Sequence, residues 1–582
     1  MDPIAAVRER LTARDLPFVL ELDLAHGLLS AAPGTPREAL RALHAPTMRA
    51  VRDGLRRART DDRIAGLVVH VGTCPLSAGQ VDELSALLAE FGEHKPTVAW
   101  SETFGELTNG LFGYRLAAHC GQVWLQPSGT LGIQGVALGV TLLRGTLDKV
   151  GVEPEYGQRH EYKTAANQFT AHEVTDAQRE MMQRIADSVL DETVARVAER
   201  RSLGRETVRA AVDAAPLTAP DALTAGLVDR VGYRDEVYAW INENWGAVPA
   251  GADKPSVHLQ YVHRYAKESG GGALVKQLTD RRRPGIAVVG VQGAIITGLS
   301  RQSPLQGQSA GADTVCAQLR AAGRDDQVKA VILRVDSPGG SYVASDSIRR
   351  EVVRLRESGR PVVATMGDVA ASGGYFVSMG ADEIVANPTT LTGSIGVLAG
   401  KFVTTGLAEK VGLVRDQMSA GERATMFSSL KGFTDDDWKV LNGWLDQVYA
   451  DFTGKAAADR GMPLDQLEPL ARGRVWTGAD AKERGLVDHL GGTDLAIDRA
   501  CALAGLERDQ VGLRGGPAFP LLAQLRPAES SDSPRGATGS LAGNGIPPVT
   551  GSGLEGLWQT AVSALGVEVP GVLALPWTLR LR

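Results

Sequence analysis

Hydrophobic and polar positions along this chain follow a pattern that occurs twice. From residue 61 the run DDRIAGLVVHVGTCPLSAGQVDELSALLAEFGEHKPTVAW holds a short β-branched strand, a turn, an amphipathic helix and, after a Lys-Pro break, a second strand. From residue 325 the run DDQVKAVILRVDSPGGSYVASDSIRREVVRLRESGRPVVAT has the same order, with an Arg-Pro break before its second strand. Each reads as a βαβ unit. The correspondence continues: CGQVWLQPSGTLGIQGV at 120–136 matches ADEIVANPTTLTGSIGV at 381–397, LDKVGV at 147–152 matches LAEKVGL at 407–413, and GLVD stands at 226–229 and again at 485–488. Pro127 faces Pro388 and Gly151 faces Gly412 at an offset of 261, and the offset drifts between 259 and 267 as small loop insertions would make it.

The pattern predicts the α/β class: two tandem domains, each with a mostly parallel sheet and flanking helices. Repeat one is placed at 15–240, a linker with one helix at 241–283, repeat two at 284–510, and a tail at 511–582. Between Pro527 and Gly553, 15 of 27 residues are Gly, Pro or Ser, a composition that buries too little apolar surface to offset its ordering entropy, so disorder is expected there. The last 29 residues, from Leu554, are apolar but interrupted by Pro570 and Pro576; they are expected to dock on the body, on a partner or on a membrane surface.

Composition narrows the function classes. Hydrophobic residues are 43% and charged residues 22% of the 582, as in soluble globular proteins. Lys and Arg total 62 against 68 acidic residues, a net charge of -6, which lacks the basic field that phosphate backbones require; nucleic acid is not expected as a partner. Cys74, Cys120, Cys316 and Cys501 are too far apart for a zinc cluster or a secreted disulfide framework, and no metal or other cofactor is expected. Charges interrupt every apolar stretch of the N-terminus, so neither a signal peptide nor a transmembrane helix is read. The expected location is the cytoplasm, or the periphery of the inner membrane face.

The chemistry concentrates in repeat two. The strand PVVATMG leads into DVAASGGYFVSMG, so Ser372 stands at the end of a strand and is followed by Gly373 and Gly374 opening a helix, a turn in which small residues admit a carbonyl. Upstream, KAVILRV ends in DSPGG, where Gly339 and Gly340 offer backbone N–H groups of the kind an oxyanion hole needs, with Gly373 a further backbone candidate. Both turns follow successive strands and should lie together at the carboxyl edge of a parallel sheet, where open α/β sheets bind ligands. Read alone, either could be a packing turn. Nine of the ten histidines precede residue 264, and repeat two has only His489, which leaves a local Ser–His pair unsupported. A lysine with a lowered pKa can replace histidine, and Lys163 in RHEYKTAANQFT is the candidate; a solvated surface lysine is the alternative reading of that stretch alone.

Taken together, SPGG, AASGGY, LTGSIGV and the YK stretch resemble the SppA signal peptide peptidases in their long tandem form, within the ClpP/crotonase-like superfamily. The resemblance covers nearly all of 15–510. It implies that Ser372 is the nucleophile, that Lys163 is the general base and acid, that Ser394 orients the lysine, and that Gly339 supplies an oxyanion N–H. It also implies extended apolar peptides such as signal-peptide remnants as substrates, a homotetramer, and possible peripheral membrane association. The anchor often found at the N-terminus of the long form is not seen in this sequence. The repeat offset agrees: Ser372 faces Leu111, Ser394 faces Ile133 and Lys163 faces Ala424, so each copy keeps half of a Ser–Lys pair. Two other readings stand beside the peptidase: a crotonase-like acyl-CoA enzyme, since one fold hosts several chemistries, and a non-catalytic membrane-protein scaffold.

Overall fold

The β-branched runs of both repeats become central strands. In the computed structural model, the described residues are 16–25, 27–29, 46–106, 108–249, 253–268, 283–303, 307–514 and 573–574. The expected disorder of 527–553, and the apolar end apart from its residues 573 and 574, lie outside them. Two compact units result: one of 1–136 and 189–280, the other of 137–188 and 281–580. The units do not follow the repeats, because 137–188 belongs with repeat two.

In the first unit six strands form one sheet in the order Arg230–Val231, Gln122–Leu125, Thr97–Ser101, Ile64–His70, Phe18–Asp23, His258–Tyr261, every neighbouring pair parallel. Thr97–Ser101 is buried throughout, as expected of a strand covered on both faces. On one face Trp100 and Trp124 pack with Val237 and Ile241 of the helix Arg234–Trp245. The expected linker contains the helix Val262–Glu268 and also the edge strand His258–Tyr261. That four-residue edge strand leaves almost no periodic signal in the sequence.

In the second unit the main sheet runs Val475–Thr477, Leu391–Gly393, Val362–Ala371, Val328–Ser337, Gly285–Gln292, Gly512–Arg514; Glu383–Ala386 also pairs with Val362–Ala371, and His489–Leu490 pairs with Glu383–Ala386. Only the Val475–Thr477 pairing is antiparallel. Alternate residues divide between two cores, as the period of a strand requires. Ala330 and Ile332 pack against Ala496, Ile497 and Ala500 of the helix Thr493–Leu503, whereas Val331, Leu333 and Val335 pack on the opposite side with Ile348, Tyr375 and Phe376. That second core includes the short helix Gly373–Ser378, which fixes the segment beginning at Ser372. Among the described residues no helix is long and apolar enough to cross a membrane.

Candidate active site

Three neighbouring strands stop in register, and their ends assemble the site. Ser337 pairs with Ala370, and Ala371 pairs with Gly393, all parallel. The Pro338–Gly340 turn, Ser372 and Ser394 therefore emerge side by side at the carboxyl edge. The Ser372 N–H donates to Gly393 O (2.8 Å) and the Ser394 N–H to Arg474 O (2.7 Å). Both serines have left-handed backbone, with φ of 57° and 51°. Such conformations cost a non-glycine residue about 1–3 kcal/mol and persist only where the surroundings enforce them. Gly373 and Gly374 make room for this arrangement: a Cβ on Gly373 would stand 3.0 Å from Gly339 Cα, and one on Gly374 2.5 Å from Ser337 O.

Lys163 reaches the same point from 137–188. The strand Glu153–Gln158 pairs antiparallel with Leu398–Val403, from Glu153 opposite Val403 to Gln158 opposite Leu398. The Arg159 N–H then donates to Val397 O (3.1 Å), and the Arg159 guanidinium holds Asn442 O (2.5 Å). Beyond it, the Tyr162 hydroxyl donates to Glu180 (2.7 Å), and Arg474 donates to the same carboxylate (2.8 Å) while its guanidinium lies 4.7 Å from the Tyr162 ring. Lys163 is held between these restraints, and its side chain passes under two glycines. A Cβ on Gly473 would stand 2.5 Å from Lys163 Cα, and one on Gly396 3.2 Å from Lys163 Cδ.

The amine ends 2.8 Å from Ser372 Oγ, 3.0 Å from Ser394 Oγ and 3.1 Å from Ser394 O. All three side chains are fully buried. Burial holds the Lys163 pKa well below the ordinary lysine value, because the low-dielectric surroundings penalise the ammonium form. A neutral amine has two protons for the Ser394 carbonyl and hydroxyl and one lone pair left for Ser372. The structure thus brings Ser372, Lys163 and Ser394 together, and sets Gly339, Gly340 and Gly373 beside them. The Gly339 N–H donates to Ser337 Oγ (3.1 Å). His489 is engaged elsewhere, pairing with Glu383 at 3.2 Å.

Several neighbours are not singled out by the sequence reading. Ser337 and Gly396 lie inside SPGG and LTGSIGV and, like Gly473, matter through what they touch, and Arg474 and Glu180 meet Tyr162 from distant positions. Asp336, just before SPGG, accepts from the Val369 N–H (3.3 Å), and its carboxyl is pushed up to about 7, first by burial and then by the charge of Asp368. Among the described residues no group of three or more His, Cys, Asp or Glu is arranged to hold a metal.

Comparison with known proteins agrees in two separate places. Residues 89–247 and 354–507 match the model of peptidase family S49. The first segment contains Lys163, the second Ser372 and Ser394, and Gly339 precedes the second. The chain is 32% identical to "Serine protease SPPA, chloroplastic" of Arabidopsis thaliana over 76% of its own length and 63% of that protein, just under two thirds of it. It is 30% identical to "Protease 4" of Salmonella typhi and to "Protease 4" of Haemophilus influenzae, in each case over 78% of this chain and 72% of the other.

Proposed function

This chain belongs to peptidase family S49 and is a serine peptidase, and from that premise we propose that it cleaves extended apolar peptides, signal-peptide remnants among them, through a Ser372–Lys163 dyad. The observation that carries the reading is the 2.8 Å approach of a buried lysine amine to the hydroxyl of a serine on a strained turn. Neutral Lys163 takes the Ser372 proton as Oγ attacks the peptide carbonyl carbon. The resulting ammonium is held by Ser394 O and Oγ, which offset part of its desolvation just as the charge appears. The same proton then goes to the leaving amine, and water, deprotonated by Lys163 in turn, releases the acyl group.

The oxyanion falls to the Gly339 N–H and a neighbouring N–H, with Gly340 and Gly373 the candidates. Ser337 Oγ accepts from Gly339 in this arrangement, so its rotation away belongs to the catalytic cycle we propose. Assembly as a homotetramer and peripheral membrane attachment belong to the same proposal. Acyl-CoA chemistry is disfavoured because Ser and Lys, not carboxylates, converge on the turn.

The test is labelling with a serine-directed phosphonate, alongside turnover of a fluorogenic apolar peptide. Wild type is expected to label and turn over, and Ser372→Ala to do neither. Equal labelling of both proteins overturns the assignment.

A further inference from the structure

The strand that leads to Ser372 falls out of step with its neighbour just before it reaches the site. Val328–Ser337 and Val362–Ala371 pair regularly up to Val335 opposite Met366, and the ladder resumes at Ser337 opposite Ala370. Between those pairs one residue, Asp336, faces the three at 367–369, so Val362–Ala371 carries a bulge of two extra residues. We propose that Asp336 is a positioning residue: its side chain holds this bulge, and the bulge sets Ser372 level with the Gly339 turn. This rests on the peptidase reading above.

The bulge decides what stands beside the nucleophile. An uninterrupted ladder at the offset of 31 (366 minus 335) would carry Ser372 level with Ser341, whereas the offset of 33 beyond the bulge (370 minus 337) sets it level with Gly339. Two residues of strand span about 7 Å, far more than an aligned site tolerates. The outcome is the close approach of the two turns, in which a Cβ on Gly373 would stand 3.0 Å from Gly339 Cα and 3.1 Å from Gly340 N. Side chains keep their faces, because an insertion of two matches the period of a strand.

Asp336 touches the bulge directly. Its Oδ1 accepts from the Val369 N–H (3.3 Å), and its carboxylate also takes a hydrogen bond from the Asp368 main chain. The side chain lies against Gly367, where a Cβ would stand 2.9 Å from Asp336 Cγ. Asp336 is itself fixed, its carbonyl accepting from the Gly293 N–H (2.9 Å). From the next strand, Thr390 Oγ1 donates to Gly367 O (2.7 Å) and Thr392 Oγ1 to Ala370 O (2.7 Å). The other repeat supplies a comparison: aligning DDRIAGLVVHVG at 61–72 with DDQVKAVILRVD at 325–336 places Gly72 opposite Asp336. There Ile64–His70 and Thr97–Ser101 pair from Leu67 opposite Thr97 to His70 opposite Trp100 without a shift. The copy without the serine thus has glycine at that place and a ladder that keeps step. What the bulge takes from Asp336 is an acceptor and not a charge. Burial and then the charge of Asp368 push the carboxyl up to about 7, so near neutral pH it is protonated in part, and an amide of the same shape offers the same acceptor oxygen.

The experiment measures kcat and KM for a fluorogenic apolar peptide, and the rate of labelling by a serine-directed phosphonate, on full-length wild type, Asp336→Ala and Asp336→Asn, each normalised to folded protein by circular dichroism. Asp336→Ala is expected to lose kcat and labelling rate by about 10- to 100-fold with KM within about two-fold, and Asp336→Asn to keep both rates within about five-fold of wild type. A loss below about ten-fold in Asp336→Ala overturns the proposal and leaves the peptidase reading standing, and so does a loss beyond about five-fold in Asp336→Asn. Should Asp336→Ala not fold, Thr390→Val decides, since it takes the donor from Gly367 O on the other side of the bulge. A fall in kcat of about three-fold or more with KM constant then supports the proposal, and a smaller one overturns it. Wild type that neither labels nor turns over peptide overturns the peptidase reading, and the positioning role with it.

Discussion

Gly473 lies against Lys163 so closely that a methyl group added to it would stand 2.5 Å from the lysine's Cα, Cβ and N. Its φ of 82° adds a second reason for glycine. The amine's position is therefore set from the main-chain side as well as by the serines it meets. Gly473→Ala is expected to leave a folded protein whose kcat falls by about 100-fold, since displacements near 1 Å cost that much in an aligned site. Circular dichroism and peptide turnover on the same sample check this, and kcat within two-fold of wild type would show that the contact does not position the lysine.

Removing either reacting group should be near-total in effect. Ser372→Ala and Lys163→Ala are each expected to retain at most about a thousandth of wild-type kcat/KM, because groups acting as one unit lose nearly everything singly. Ser394→Ala should be milder, about 10- to 100-fold, since it takes one acceptor from the ammonium and leaves Ser394 O in place. A Ser394→Ala loss equal to that of Ser372→Ala would contradict the division of roles.

The direction of the Lys163 shift sets the pH profile. A base must be neutral to act, so kcat/KM is expected to rise with pH through a pKa well below that of an ordinary lysine. Asp336, with its carboxyl pushed up to about 7, is the nearby group that could imitate this limb. The Asp336→Asn profile separates them: an acid limb that persists belongs to Lys163, and one that disappears belongs to Asp336.

The same burial has a cost in stability with a definite sign. Between the lowered pKa in the fold and the ordinary value near 10.5 in the unfolded chain, the unfolded state binds the extra proton, so stability rises with pH across that window. Lys163→Met removes this dependence and the desolvation cost together. It is expected to raise Tm at neutral pH by about 2–4 °C for each kcal/mol recovered while abolishing turnover. A lower Tm, measured by calorimetry with the same sheet content, would show that the lysine's hydrogen bonds outweigh its burial.

Because Lys163 and Ser372 meet within one chain, mixing should not rescue them. Ser372→Ala and Lys163→Ala chains expressed together are expected to stay inactive in whatever assembly forms. Recovery of about a quarter or more of wild-type activity would mean that the lysine is donated between subunits.

Much of this was legible because the chain contains its own comparison. Aligning the two repeats showed that Ser372 and Ser394 had lost their counterparts in one copy and Lys163 in the other, a signal that no single motif carries. The paired glycines of SPGG and AASGG could be read as turn chemistry, since close backbone approach excludes a side chain. The ownership of 137–188 was not legible. Sequence similarity assigns that stretch to repeat one by descent, whereas packing assigns it by the antiparallel pairing of Glu153–Gln158 with Leu398–Val403, and pairing between distant edge strands leaves little local trace. The restraint of Tyr162 through Glu180 and Arg474 was hidden for the same reason: three ordinary surface residue types acquire meaning only when folding brings them together.

The ownership of 137–188 also sets a clock on the ribosome. Lys163 is made early, but the glycines that cover it are Gly396 and Gly473, and the second leaves the ribosome 310 residues later (473 minus 163). At about 5–20 residues per second that interval is about 15–60 seconds. Until then the glycines that cover the lysine, and the strand Leu398–Val403 that pairs with Glu153–Gln158 in the fold, are not all present. The amine of the proposed base is taken out of water only once residues up to Gly473 exist, so a chain that stops before them carries half of the proposed dyad.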